Sequence, residues 1–176
     1  MRVIAGELGG RRLISPPDDS VRPTSDRARE ALFSILGEVE GLSVLDLCCG
    51  TGALSIEALS RGADRATMVD TETAPAAVNV EAFDLDGRVS LLRQDGLEFL
   101  RGGDSRFDLI LCDPPYKIAA RFEPELPQLA PARLAPGGTL VLESNARDAV
   151  PLEFDGLELM RERRYGSTLL RIWRNP

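Results

Sequence analysis

The chain of 176 residues contains no histidine. That absence removes Ser–His and Cys–His nucleophilic catalysis, imidazole metal ligands and imidazole proton shuttles together. Cysteines number three, Cys48, Cys49 and Cys112, and no two form a Cys-x-x-Cys pair. An odd set with two neighbours at a strand end suits neither a disulfide framework nor a metal site. Reduced, buried thiols and no metal are the expectation. No apolar run approaches the ~20 residues a membrane span needs, so no membrane association is expected. The start "MRVIAGELGG" lacks the apolar core of a signal peptide, which makes a cytoplasmic location the expectation. Lysine is nearly missing as well: of 21 basic side chains only Lys117 is not arginine.

What remains is ordinary for a soluble globular protein, with 43% hydrophobic and 28% charged residues. The length fits one domain, residues 1–176, able to bury a proper core. The net charge of −7 is unevenly spread. Residues 1–30 carry six arginines and five acids, and residues 161–176 carry five arginines and one acid. The stretch 31–160 between them has a net charge of −12. A nucleic-acid footprint is a local patch rather than a whole-chain sum, so the two basic ends matter more than the total.

Residues 2–5 and 11–15 read as two short strands joined by "GELGG", a hairpin signal. Thr24 can cap a helix over roughly 25–36 that ends at Gly37 and has Ala28, Leu32, Ile35 and Leu36 on one face. From residue 42 the pattern alternates strand and helix. "LSVLDLCC", "ATMVD", "VSLLRQD", "FDLILCD" and "GGTLVLES" are strand runs, and helices follow the first two. The stretch 118–134 holds Pro124, Pro127 and Pro131, so any helix there is short or broken. "LELMRERR" and "STLLRIWR" look like two strands around Tyr165–Gly166. The implied fold is α/β and Rossmann-like: a mostly parallel sheet of seven strands, closed by an antiparallel C-terminal hairpin. An N-terminal β-hairpin and helix, residues 1–37, precede the core at 42–176.

The first core strand ends in "DLCCGTGALS", residues 46–55. Gly50 and Gly52 stand in the strand-to-helix turn, where a missing Cβ lets a ligand approach the backbone. Asp70 ends the next strand, where an acid can accept both hydrogen bonds of a ribose diol. Ser55 occupies the third position of a dinucleotide fingerprint, which wants Gly or Ala, and no Lys-Ser/Thr follows to make a phosphate-cradling loop. Asp46 before the loop resembles the D-x-x-x-G-x-G pattern of S-adenosylmethionine enzymes. There the acid supports the loop and the amino-acid end of the cofactor. Asp95 at the end of the third strand can accept from an adenine amine, with Gly96 and Leu97 beside the ring.

The fourth strand ends in "DPPY", residues 113–116. This is similar to the tetrapeptide of methyltransferases acting on exocyclic amines of bases. Such a nitrogen is a poor nucleophile because its lone pair is delocalised into the ring. Asp113 and the carbonyl of Pro114 can hold its two N–H bonds and stabilise charge developing on it. Pro114 and Pro115 make the corner rigid, and Tyr116 can stack on the base.

With "RPTSDRAREALFSIL" (22–36), "LDLCCGTGALSIEALSRGA" (45–63) and "DPPY" together, the sequence resembles the small, single-domain bacterial 16S ribosomal RNA guanine-N2 methyltransferases that modify guanine 966. The resemblance runs nearly end to end and includes "LAPGGTLVLES" and "YGST". It implies S-adenosylmethionine bound by Asp46, Gly50, Gly52, Asp70, Asp95, Gly96 and Leu97. It implies catalysis at Asp113, Pro114, Pro115 and Tyr116. The substrate it implies is 16S rRNA in the 30S subunit or an assembly intermediate, with the protein acting as a monomer. Candidate RNA contacts are Arg11, Arg12, Arg22 and Arg29. For Arg22 and Thr24 a role at the cofactor is equally open, as is an ion pair for Arg22. The sequence departs from the family at "CCGTG", where members read "FAGSG" or similar, and in its acidic net charge. Three other functions fit parts of the pattern. They are methylation of adenine or cytosine amines, a non-catalytic cofactor-binding assembly factor, and an NAD-dependent oxidoreductase. The last is disfavoured by Ser55 and by the lack of an evident proton donor.

Overall fold

Period-two alternation along the central strands decides the architecture. In a computed structural model, which describes residues 1–15 and 26–176, these strands send successive side chains to opposite faces of one sheet. Val44, Met68, Leu109, Leu111, Val141 and Ile172 enter one core cluster, while Leu45, Val69, Ile110, Leu140 and Trp173 enter the other. Each face therefore demands its own cover of helices.

Among the described residues the sheet has seven strands: β1 (Ser43–Leu47), β2 (Arg65–Asp70), β3 (Val89–Arg93), β4 (Phe107–Cys112), β5 (Leu134–Asn145), β6 (Glu158–Tyr165) and β7 (Thr168–Arg174). Their order is β3-β2-β1-β4-β5-β7-β6. The first five are mutually parallel, and β7 is antiparallel to both β5 and β6. Helices α1 (Asp26–Leu36), α2 (Ala53–Ser60) and α3 (Ala74–Ala82) supply residues to the first cluster. Helices α4 (Gly96–Arg101), α5 (Tyr116–Phe122) and α6 (Leu126–Leu129) supply the second. The expected α/β sheet with its antiparallel C-terminal hairpin is present, and the proline-rich stretch breaks into short helical pieces as its composition predicts. Helix α4 went unread in the sequence because its six residues are too few to show a period. No described helix is long and apolar enough to cross a membrane.

The N-terminal hairpin is narrower than two strands. It has a single antiparallel bridge, Arg2 to Arg12, with Gly10 N donating to Val3 O (2.9 Å) and Val3 N to Arg11 O (3.0 Å). The reason is a competing partner. The amides of Ile4 and Ala5 donate to the buried Glu57 carboxylate of α2 at 2.7 and 3.1 Å rather than to a facing strand. Leu8 N donates to Ser60 Oγ and Glu7 N to Ser60 O. Gly6 permits this approach, since a Cβ there would lie 1.8 Å from Ser60 O.

Candidate active site

Strand order reverses between β1 and β4, and in open α/β sheets the crevice at the carboxyl ends of such a pair is the ligand-binding position. Register makes the crevice concrete. Leu47 pairs with Val69 on one side and with Cys112 on the other, so Asp70, Cys48 and Asp113 leave the sheet side by side. The amides of Cys48 and Cys49 both donate to Val69 O, and Asp113 N donates to Leu47 O at 3.4 Å. The glycine loop, the acid after β2 and the Pro-Pro corner are thus brought together.

The loop turns on left-handed residues. Cys48, Gly50 and Gly52 have φ of 63°, 55° and 78°, and Cys48 is one of two described non-glycine residues with positive φ. A Cβ on Gly52 would also stand 3.2 Å from Met68 Sδ. Asp70 fixes the loop from the side: Oδ2 accepts from Gly50 N at 2.9 Å, and Oδ1 accepts from Glu72 N at 3.0 Å. Oδ1 also accepts from Thr71 Oγ1 at 3.5 Å, while Oδ2 keeps a lone pair for a further donor. Beneath the loop, Asp46 is 1% exposed and its Oδ2 accepts from Ser55 Oγ at 2.7 Å. Its Oδ1 is buried with no partner among the described residues. Burial pushes the Asp46 carboxyl up to about 7, against the lowering effect of the Ser55 hydrogen bonds and with a smaller raising effect from Asp70.

Acids crowd this end of the sheet. Burial, then Asp70, Asp46, Asp113 and Asp95, all push the Cys48 thiol upward, and burial also raises Cys49 and Cys112. These cysteines are neutral thiols rather than nucleophiles. The carboxylates near Cys48 make this end of the sheet electronegative, which suits a cationic ligand and disfavours a pyrophosphate.

Asp95, Gly96 and Leu97 take up local duties. Asp95 caps α4, with Oδ1 accepting from Leu97 N at 2.9 Å and Glu98 N at 3.2 Å, while Oδ2 pairs with Arg121. Burial would raise Asp95, but the hydrogen bonds from Arg121, Glu98 and Leu97 outweigh it and hold the carboxyl below its usual range. Gly96 makes room for the buried Phe122 ring, whose Cζ would lie 2.9 Å from a Cβ. The Leu97 side chain is fully buried in the second core cluster, so what this turn offers a ligand is mainly backbone.

At the corner, Pro114 is buried, Asp113 half-buried and Pro115 exposed. Pro115, extended at φ −59° and ψ 145°, leads directly into α5. Tyr116, the first residue of that helix, is 49% exposed on the rim.

The RNA candidates divide. Arg29 is corrected: its side chain is 0% exposed, ion-paired to Asp26 (2.9 Å) and Glu57 (3.6 Å) and bonded to Arg2 O, so it is unavailable to RNA. The Arg11 guanidinium donates to Ala82 O at 2.6 Å and lies 4.3 Å from the Phe83 ring centroid. Arg12 is exposed. Arg22 and Thr24 lie outside the described residues. Sequence reasoning missed two polar positions. Ser55, noticed only as a fingerprint mismatch, orients Asp46. Asn79 in α3 is fully buried and spans from Ile14, at both N and O, to Thr51 O in the glycine loop. Two residues that hydrogen-bond inward leave no periodic signal.

The chain is similar to known proteins. YlbH of Bacillus subtilis (strain 168) is 32% identical over 99% of this chain and 98% of its own. Ribosomal RNA small subunit methyltransferase D of Escherichia coli (strain K12) is 29% identical, covering 98% of this chain and 89% of that protein. The solved structure of Escherichia coli yhhF superposes with a TM-score of 0.87 at 26% identity, covering 99% of this chain and 97% of that one. The profile of the family described as "Conserved hypothetical protein 95" matches residues 1–174, and the chain belongs to that family.

Proposed function

We propose that the protein is an S-adenosylmethionine-dependent rRNA methyltransferase. It transfers a methyl group to the exocyclic N2 amine of a guanine of the 966 kind in 16S rRNA, within the 30S subunit or an assembly intermediate, and acts as a monomer. The observation that carries this is the register at the switch point. It sets the Asp113 corner beside the Cys48–Gly52 turn and Asp70, so an amine at one faces a cofactor at the other. The methyltransferase name of the Escherichia coli relative agrees with it.

The residues fit the cofactor. Asp46 Oδ1, buried and without a partner among the described residues, is matched by an ammonium group, and the electronegative end of the sheet around Cys48 by a sulfonium. Gly50 and Gly52 let the amino-acid end approach the loop, Asp70 holds the ribose diol, and the turn at Asp95–Leu97 borders the adenine. When bound, the cofactor supplies a methyl group on sulfur that leaves as a neutral thioether. Asp113 and the Pro114 carbonyl hold the two N–H bonds, turn the guanine nitrogen toward that methyl and stabilise its growing positive charge, which is discharged when one of the two N–H protons passes to solvent. Tyr116 stacks on the base. Residues 42–176 form the catalytic core in this scheme, and residues 1–37 are an extension docked on α2 and α3.

The test is transfer of labelled methyl to 16S rRNA and to 30S subunits lacking the modification, with the nucleoside identified by chromatography. The wild type is expected to yield N2-methylguanosine. Asp113→Ala is expected to lose on the order of 100-fold or more in turnover while binding S-adenosylmethionine normally by calorimetry. Label on adenine or cytosine would reassign the base. Cofactor binding with no label on any RNA would leave the fold without this activity.

A further inference from the structure

We propose that the free edge of the sheet, strand β6, is a phosphate rail for the RNA substrate, with Arg161, Arg163 and Arg164 as its contacts. The inference rests on the rRNA methyltransferase function just stated and supplies it with a docking surface.

Strand β6 is outermost in the sheet, and its residues 158–164 are all exposed. Three of those seven are arginines, and none forms an ion pair with a described residue. Their hydrogen bonds go to backbone oxygens nearby: Arg161 to Met160 O, Arg163 to Glu162 O (3.0 Å) and Arg164 to Gly166 O (2.9 Å). A guanidinium has five N–H donors, so most of each fork faces solvent. By contrast Arg61, Arg65, Arg88, Arg101, Arg121 and Arg171 each have an acid.

Position gives the arginines their meaning. Strand β6 runs parallel to β5 across β7, so its carboxyl end lies at the same end of the sheet as the crevice. Cys112 pairs with Leu142, Glu143 with Leu170, and Leu170 with Arg163. Arg163 is therefore level with Asp113, three strands away. At a strand spacing of about 4.8 Å that is roughly 14 Å, a distance of two or three nucleotides along an RNA backbone. Arg161 and Arg163 point to one side of the strand and Arg164 to the other, so the cations straddle the edge.

The edge itself argues against a protein strand as occupant. A register shift between Leu159 and Arg161 interrupts the ladder, and bulges and charged side chains are devices that prevent edge-to-edge pairing. The flexible, anionic backbone of RNA needs no ladder. The acidic stretch 31–160 repels RNA, so affinity has to come from a local cationic surface placed beside the crevice.

The test compares wild type with a triple variant, Arg161→Gln/Arg163→Gln/Arg164→Gln, on unmodified 30S subunits and a 16S rRNA fragment across a salt series. The variant is expected to bind RNA roughly 10- to 100-fold more weakly near ~0.15 M salt, with a log–log salt slope shallower by about 2 to 3. KM for RNA should rise and kcat hold, while calorimetric S-adenosylmethionine affinity stays at the wild-type value. The three Arg→Lys changes should restore most of the binding, because a phosphate reads the charge. If wild type binds and methylates but the triple variant matches it in affinity and slope, the rail is refuted. In that case a dimer of the variant in sedimentation would mark the arginines as edge guards only. If wild type itself shows neither salt-dependent RNA binding nor methylation, the methyltransferase function and the rail fall together.

Discussion

The two ends of this chain are both rich in arginine, and the fold uses them in opposite ways. Near the N-terminus two guanidiniums, those of Arg29 and Arg11, are committed to the fold. Arg29 is enclosed by Asp26, Glu57 and the carbonyl of Arg2, and Arg11 lies on Ala82 O and the Phe83 ring. Near the C-terminus Arg161, Arg163 and Arg164 bond, among the described residues, to nearby backbone oxygens. The difference lies in what faces each segment. The hairpin packs on α2 and α3, which present a buried carboxylate and a helix-terminal carbonyl, whereas β6 has no strand beyond it among the described residues. A basic run in a sequence states how much charge is present; the acceptors across from it decide whether that charge holds the fold or remains for a ligand.

The largest effect that would sharpen this contrast is at Arg29. Arg29→Ala removes one of the two cations paired with the Glu57 carboxylate, which is 0% exposed, and leaves it Arg61 and two backbone amides among the described residues, while emptying a fully buried side-chain site. Removing one member of a buried pair costs on the order of 3–5 kcal/mol, so urea unfolding should show a loss of that size or no folded protein. A loss under ~1 kcal/mol would mean the cation is dispensable and the inward role overstated.

A pH-dependent effect, with a sign of its own, is expected at Asp46, a charge that the fold has only half satisfied. Its folded-state carboxyl stands at about 7, above the ordinary 3.8. Below pH ~4 it is protonated whether folded or not, and no penalty applies. As pH rises from about 4 to about 7 the unfolded chain ionises first, so stability without cofactor falls, by at most about 1.4 kcal/mol per pH unit, and then levels off. Asp46→Asn should flatten that slope while weakening S-adenosylmethionine, whose wild-type affinity should itself decline below pH 7 as the carboxyl is protonated. A cofactor affinity that is level from pH 5.5 to 8 would show that Asp46 does not face the ligand's ammonium.

Much of this was legible before the structure. The strand-and-helix alternation fixes a parallel sheet, and the "DLCCGTG", Asp70 and "DPPY" segments fall at successive strand ends because β-strands of similar length deliver their last residues to one rim. What periodicity does not encode is where a polar side chain bonds. Asp95 could have faced a ligand or capped the next helix, and in the structure it caps α4. Gly96 read as a cofactor residue, yet its missing Cβ accommodates Phe122, 26 positions onward. Arg29 looked like a surface arginine on the polar side of α1, because nothing local reveals that Glu57 lies opposite.

Arg11 gives the smallest effect and the finest test of the contrast, because it is exposed and yet committed. Its guanidinium has one carbonyl at 2.6 Å and a ring 4.3 Å away, contacts that an RNA phosphate would have to displace. An exposed cation–π contact contributes about 0.5–1 kcal/mol, and a hydrogen bond adds about as much. Arg11→Ala should therefore lower stability by about 1 kcal/mol and leave the salt dependence of RNA binding unchanged. The neighbouring Arg12, exposed and with no such partner among the described residues, should behave the other way, with stability intact and a shallower slope on replacement by Ala. If instead Arg11→Ala flattens the salt slope without cost to stability, its inward contacts give way when RNA arrives. The N-terminal and C-terminal arginines would then differ in how tightly the free protein holds them rather than in what they bind.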